Sequence, residues 1–407
     1  MSNTLLTGTS ITRKALEILH SKCPLIANLK KPYDAMFQSG GYDGQKAGPT
    51  IQIRKPIQVT GRETWTMNSQ ATVQEKVDLT IDQIRGADLD FEDAELSLSM
   101  DDFSERNIKP CISKVASMVE THVSTYIKNN TNQIGGTVGT QPNSAQIFLD
   151  AKVKLADQLI PDDNLMGIIC PATEASFIGA LTPLQVNPAA TIGDMFKSGR
   201  ISNALGIEWY RSNVLARHTC GTRTNTTPVV SGATEGDDGD VLIAGAGVSP
   251  TFVVGDIVTF AGCYAVNPET KQTMPYLKQF VIDTLTTCDG SGNGTLHITP
   301  TMVITGARQN VSAYPTSGGA VTNVGTASLT YSNDLLLHSD AFCFATAPLS
   351  MPKGMDMIGQ SELDGIRLRF MRGFDIVNSR YVSRVDIFFG IAAVRPEWAT
   401  RIIGYGI

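Results

Sequence analysis

Residues 380–403 read Arg-Tyr-Val-Ser-Arg-Val-Asp-Ile-Phe-Phe-Gly-Ile-Ala-Ala-Val-Arg-Pro-Glu-Trp-Ala-Thr-Arg-Ile-Ile. From Tyr381 to Val394 the β-branched and aromatic residues predict one long strand. It stops at Arg395-Pro396-Glu397, because proline has no N–H to give to a sheet ladder.

Upstream of it, Ala341-Phe342-Cys343-Phe344-Ala345 reads as a buried strand. Before that, residues 226–338 have almost no helical period. Val, Thr, Phe, Gly and Pro recur there at short strand spacing, as in Ile257-Val258-Thr259-Phe260 and Gln279-Phe280-Val281-Ile282. The same stretch holds nine acids (Glu235, Asp237, Asp238, Asp240, Asp256, Glu269, Asp283, Asp289, Asp334) against three bases (Lys271, Lys278, Arg308). That excess equals the formal net charge of the whole chain, −6. An acidic, β-barrel-like domain inserted into a neutral α/β host is therefore expected, with Phe252, Phe260, Phe280 and Ile298 in its own core.

Further upstream the period changes. Residues 101–129 predict the clearest helix, with Pro110 in the first turn and Ile112, Val115, Val119, Val123 and Tyr126 at spacings of three and four. From Pro110 to Lys128 it would span roughly 28 Å. Residues 144–160 predict a second helix, capped by Asn143 or Ser144. A buried strand over 165–170 and a helix over 172–181 follow. Residues 38–85 read as a long two-stranded excursion through Thr50–Arg54, Ile57–Thr60 and a return by Val73, Val77, Leu79 and Ile81. Its tip is polar apart from Trp65 and Met67. A lone hairpin is marginal in water, so a neighbouring subunit is expected to support this one. Residues 10–22 form a short amphipathic arm helix ended by Cys23-Pro24.

A chain of 407 residues with 42% hydrophobic and 18% charged residues is a folded protein of two or three domains. The acidic balance, without a basic stripe, argues against a DNA-wrapping or sequence-reading protein. Seven Cys without a CxxC pair read as reduced, buried thiols of a protein that folds in a cytosol. A secretory signal and a membrane-spanning helix are not expected.

Chemistry is sought without success. Gly290-Ser291-Gly292-Asn293-Gly294 reads as a tight turn rather than a phosphate cradle, since no helix start follows. His20, His122, His218, His297 and His338 show no metal spacing. Asp88-Leu89-Asp90-Phe91-Glu92-Asp93 lacks the Gly and Glu of a calcium loop and reads as a solvated strand-to-helix turn. Glu235, Asp237, Asp238 and Asp240 read as an exposed turn, as a docking loop for a basic partner surface or, third, as a cation site. No enzyme activity, metal or cofactor is expected.

Ser198-Gly199-Arg200-Ile201, Leu205–Ser212, Gly255-Asp256-Ile257-Val258-Thr259-Phe260-Ala261-Gly262, Ile298-Thr299-Pro300 and Tyr381–Glu397 occur in one order. That ordered set resembles the coat proteins of tailed bacteriophages with the HK-ninety-seven-like fold, and within them the P-twenty-two type with an inserted β domain. The resemblance implies an α+β chain divided into an N-terminal arm (1–37), an extended β loop (38–85), a peripheral domain with the spine helix (86–143), an axial α/β domain (144–225), an inserted β domain (226–338) and a return to the axial and peripheral domains (339–407). It implies a major capsid protein whose hexamers and pentamers build an icosahedral shell around double-stranded DNA. Implied partners are the chain itself, a scaffolding protein and a portal protein, with a decoration protein left open. Contact with packaged DNA would be non-specific, on the inner face, and no membrane is involved. Localisation would be the virion capsid, assembled in the host bacterial cytoplasm. Arg54, Lys55, Arg62 and Glu63 on the extended loop are the expected intersubunit contacts, and Glu235, Asp237, Asp238 and Asp240 the expected contacts between capsomers. The competing readings are an encapsulin-like shell protein and a non-catalytic virion surface protein with a carbohydrate-binding β module. Against the latter, Trp65, Trp209 and Trp398 all lie outside the insertion.

Overall fold

The computed structural model describes residues 8–31, 50–62, 64–67, 69, 74–92, 109–181, 201, 203–223, 227–232, 239–378 and 380–406. The chain divides into two compact units, the first drawn from Met1–Ile53, Lys76–Ser124 and Phe342–Val394, the second from Arg54–Glu75, Thr125–Ala341 and Arg395–Ile407.

The first unit is organised by the strand Arg380–Ala393, fourteen residues long as its composition predicts. It pairs antiparallel with Gln83–Glu92, with Ile366–Asp375 and with Phe342–Thr346, and Met357–Leu363 extends the sheet beyond Ile366–Asp375. The acidic run expected as a turn is corrected here: Asp88 and Asp90 lie within the strand Gln83–Glu92, opposite Arg384 and Val382. Their charges are met across the ladder, Asp88 by Arg384 and Asp90 by Arg380. Such cross-strand pairs let acidic residues occupy a strand that their intrinsic preference disfavours. The arm helix Gly8–Lys22 buries Ala15, Leu16 and Leu19 and packs against the Met357–Leu363 strand. Thr12 Oγ1 lies 2.6 Å from Ser361 Oγ. The helix Lys109–Asn130, which belongs to this unit as far as Ser124, starts with Pro110 in its first turn, where a missing N–H costs nothing, and buries Ile112, Val115, Val119 and Val123 here.

In the second unit a seven-stranded sheet runs in the order Gln133–Gly135, Ala399–Gly406, Thr330–His338, Leu165–Ile169, Ile207–Arg211 and Asn203–Ala204. His218–Thr219 pairs with the start of Thr330–His338. Leu165–Ile169 and Ile207–Arg211 are parallel, which requires a crossover, and the helix Pro171–Leu181 lies in it. The helix Ala145–Ala156 begins at Ser144, whose Oγ accepts the Gln146 N–H at 3.2 Å. Phe148, Phe177 and Trp209 form the core, with Phe148 stacked on Phe177 at 4.2 Å. Trp209 leaves no room beside Gly167: a Cβ there would come within 2.3 Å of its ring.

Between His218–Thr219 and Thr330–His338 the chain builds a barrel. Its strands follow the order Val321–Val324, Ile257–Val266, Thr273–Ile282, Gly294–Thr299, Asp240–Ala244 and Val229–Val230, each antiparallel to the next. The last returns to the first: Val229 bridges Ala320, Val230 N–H reaches the Gly319 carbonyl at 2.9 Å, and Val321 N–H reaches the Pro228 carbonyl at 2.7 Å. Phe252, Phe260, Phe280 and Ile298 fill it with Val230, Val241, Leu296 and Val321. The Gly290–Gly294 stretch is a turn, with the Asp289 carboxylate accepting the N–H of Ser291 and Asn293, each at 2.8 Å. One boundary shifts. Thr330–His338, expected inside the insertion, is a strand of the seven-stranded sheet, because Leu335–His338 pair with Leu165–Ile168 and Leu337 with Ala399.

Candidate assembly surfaces and a buried ionic junction

The described part of the excursion displays exposed apolar side chains. After the strand Thr50–Arg54 the alternating residues Ile57-Gln58-Val59-Thr60, expected as a strand, have no regular structure and no partner strand among the described residues. Val59 is 70% exposed, Met67 79%, and Trp65 fully. Of the expected contact residues, Arg54 is exposed at the end of its strand. Lys55 lies 3.6 Å from Glu75, and Arg62 donates to the Trp65 carbonyl at 3.0 Å. Glu63 lies outside the described residues. Glu75 also meets Arg308 at 2.6 Å, so the base of the excursion carries its own ion pairs. A second apolar tip joins Ile366–Asp375 to Arg380–Ala393. Asp375 accepts the Val377 N–H at 3.1 Å and the Asn378 amide at 2.8 Å, and this turn presents Ile376 and Val377, 85% and 90% exposed.

Among the expected capsomer contacts, Asp240 opens the strand Asp240–Ala244 and its Oδ1 lies 2.5 Å from Nδ1 of His297 on the neighbouring strand. Glu235, Asp237 and Asp238 lie outside the described residues.

The densest polar constellation is one the sequence did not reveal. His218 is buried at the start of the link into the barrel. Its Nε2 is 2.8 Å from Asp256 Oδ1, and its Nδ1 is 3.3 Å from Lys128 Nζ. Asp256 Oδ2 accepts the N–H of Gly221 at 3.1 Å and of Val253 at 3.0 Å, with Arg223 Nη1 at 3.7 Å. Both terminal nitrogens of Arg401 donate to the Gly255 carbonyl at 3.0 Å. Burial draws the Lys128 ammonium down to about 8, with Arg401 adding to it and Asp256 opposing. Burial brings Arg401 down to about 10. The backbone is shaped to this cluster. Gly255 has φ +95°, and a Cβ on it would meet Asn129 Oδ1 at 2.9 Å; one on Gly221 would meet the Thr251 carbonyl at 2.0 Å. The pair Gly255-Asp256, noted in the sequence only as part of a motif, thus has a physical reason.

Cys220 completes, with His218 and Asp256, a trio whose ligand atoms lie within 4.8 Å of one another. Residue types alone would allow a metal site or a nucleophile–base pair. The geometry favours neither, since both imidazole nitrogens already have partners and three cations surround the one carboxylate. The Cys220 thiol is pushed up by burial. Cationic neighbours repel a metal ion, and a thiol without a free base is not activated.

The family described as P22 coat protein - gene protein 5 matches residues 3–404. The chain belongs to the P22 coat protein family. It is the major capsid protein of a tailed phage and a structural constituent of the virion capsid. Among solved structures, that of Mycobacterium phage Che8 is similar at 10% identity over 93% of this chain and 89% of that one, with a TM-score of 0.50, which shows a shared fold. The capsid of Ralstonia phage GP4 matches at 7% identity over 93% and 92% of the two chains, with a TM-score of 0.43. A virus-like particle from Pyrococcus furiosus matches at 10% identity over 97% of each chain, at 0.39. Comparison with curated proteins gives no match. The family match over residues 3–404 favours the coat-protein reading over the encapsulin-like alternative.

Proposed function

We propose that this coat protein assembles into hexamers and pentamers of an icosahedral shell around double-stranded DNA, and that the excursion is the main intersubunit clasp. The observation that carries the proposal is the exposure of Val59, Trp65 and Met67, with no covering layer among the described residues. Burying such a side chain fully stabilises a contact by about 1.5–3 kcal/mol, whereas the exposed ion pairs available to Arg54 and Arg62 contribute ~0–1 kcal/mol each. The apolar tip therefore supplies affinity and the charges supply register.

A separate scaffolding protein directs closure, a portal protein occupies one vertex, and assembly takes place in the host cytoplasm. The acidic loop over 235–240 meets a basic surface of the next capsomer or of a decoration protein. Asp240, held by His297, fixes one end of that loop.

The test is co-expression with and without the scaffolding protein, followed by sedimentation and electron microscopy. Closed particles are expected with the scaffold, and monomers or irregular aggregates without it. A small, stable oligomer in the presence of scaffold would refute the proposal.

A further inference from the structure

The ionic junction sits where the barrel leaves the seven-stranded sheet, and its wiring depends on one proton. An ammonium group has only donors, so Lys128 must give a hydrogen to Nδ1 of His218. The ring hydrogen is then on Nε2, donated to Asp256. That carboxylate in turn receives Gly221 from the link and Val253 from the barrel. The next residue, Ile257, opens the ten-residue barrel strand Ile257–Val266.

We propose that the junction is a proton-operated latch: with a neutral His218 it fixes the base of the barrel to the sheet, and a proton on His218 releases it. The balance of the charged and titratable groups facing the ring argues for this. From the helix end comes Lys128; from the last strand, Arg401; from the link, Arg223 and Cys220; from Thr330–His338, the Tyr331 ring, 5.5 Å away and edge-on; and from the barrel, Asp256. Three of these are cations and one is an anion. A protonated imidazole has no lone pair for Lys128 and sets two donors face to face at 3.3 Å. Burial lowers the affinity of His218 for a proton, and Arg401 and Lys128 lower it further, against the hydrogen bond and charge of Asp256.

The latch therefore holds at neutral pH and opens in acid. Because the folded state resists protonation, the stability it contributes is complete above the ordinary histidine value of 6.5 and is lost as pH falls below it.

The experiment is hydrogen–deuterium exchange on the intact coat protein from pH 7.5 to 5, corrected for the intrinsic pH dependence of exchange. The titration of His218 itself is followed through exchange of its ring carbon hydrogen. Protection of the Gly221, Val253 and Gly255 amides is expected to fall at least tenfold, with a midpoint matching the His218 titration. Phe260 and Phe280, in the barrel core, should stay protected. In His218→Gln the amide can still donate to Asp256 and accept from Lys128 but cannot become charged, so the acid-induced loss should vanish. Two results would overturn the latch: junction amides that stay protected in wild type while His218 titrates, or a Gln variant that loses protection over the same range. If the variant does not fold, the wild-type comparison of midpoints decides alone.

Discussion

The carboxylate of Asp386 occupies the space that a side chain on Gly86 would need. A Cβ at Gly86 would come within 2.5 Å of Asp386 Oδ1 and 2.8 Å of the Val385 carbonyl. The two residues are paired directly across the ladder, and Asp386 is buried between Arg369 at 2.6 Å and Arg384 at 2.8 Å. The carboxylate cannot retreat without breaking one of those contacts. Gly86→Ala is expected to destabilise the coat protein by about 1–3 kcal/mol, the usual cost of overpacking. Gly61→Ala, with nothing within 4 Å, should change little. Denaturant midpoints of the two variants check this, and equal midpoints would contradict it.

Replacing Trp65 and Met67 together with Ser should abolish or slow shell formation and leave monomer melting within about 0.5 kcal/mol of wild type, because neither side chain is covered in the subunit. Light scattering during scaffold-assisted assembly, beside a monomer melt, separates the two effects. A melt lowered as much as assembly would place these residues in an intramolecular contact.

Lys128 carries a buried charge whose release is drawn from the ordinary 10.5 to about 8. Below pH 8 the folded and unfolded chains are both protonated there, and the folded one bears the full desolvation cost. Between 8 and 10.5 the folded chain loses its proton first, so stability should rise with pH across that window, by about 3 kcal/mol in total. Lys128→Met should be more stable than wild type at pH 7 and lack that rise. Thermal melts at pH 7, 8.5 and 10 test it; a less stable variant at pH 7 would show that the bond to His218 outweighs the cost of burial.

Asp334 has the opposite slope. It is buried in the strand Thr330–His338 and its Oδ1 accepts the Cys170 N–H at 2.7 Å. Burial raises its proton affinity to about 6 from an ordinary 3.8. The folded chain takes up this proton before the unfolded one, so its contribution to stability grows as pH falls from 6 to 3.8. Asp334→Asn keeps the acceptor without the charge. It should melt higher than wild type at pH 7 and lose that acid-side gain, leaving the destabilisation linked to His218 more visible below pH 6.5.

Period and composition were enough to place the strand Arg380–Ala393, the helix from Pro110 and the buried strand Leu165–Ile169, because each carries its signal within its own residues. The misread segments depend on distant partners. Asp90 is in a strand because Arg380 meets it from 290 residues away. Thr330–His338 resembles the barrel strands in composition, and only its pairing with Leu165–Ile169 assigns it to the sheet. The ionic junction gathers Lys128, His218, Asp256 and Arg401 from four separate stretches, none of which shows a metal-ligand or catalytic spacing. Of the surface residues expected to make contacts, the sequence weighted the charged Arg54, Lys55, Arg62 and Glu63, while the exposed apolar area of the same segment belongs to Val59, Trp65 and Met67.

Closure of the barrel through Val229 and Ala320 bears on life in a crowded lattice. A shell holds many copies of one domain at fixed, short spacings, an extreme local concentration. An open sheet there would offer each neighbour an identical strand to zip onto, and growth could wander into fibres. Among the described residues the first and last strands of the barrel are joined, which removes a sheet edge that a neighbouring copy could extend. Contacts made through side chains can be made and remade without any backbone being captured.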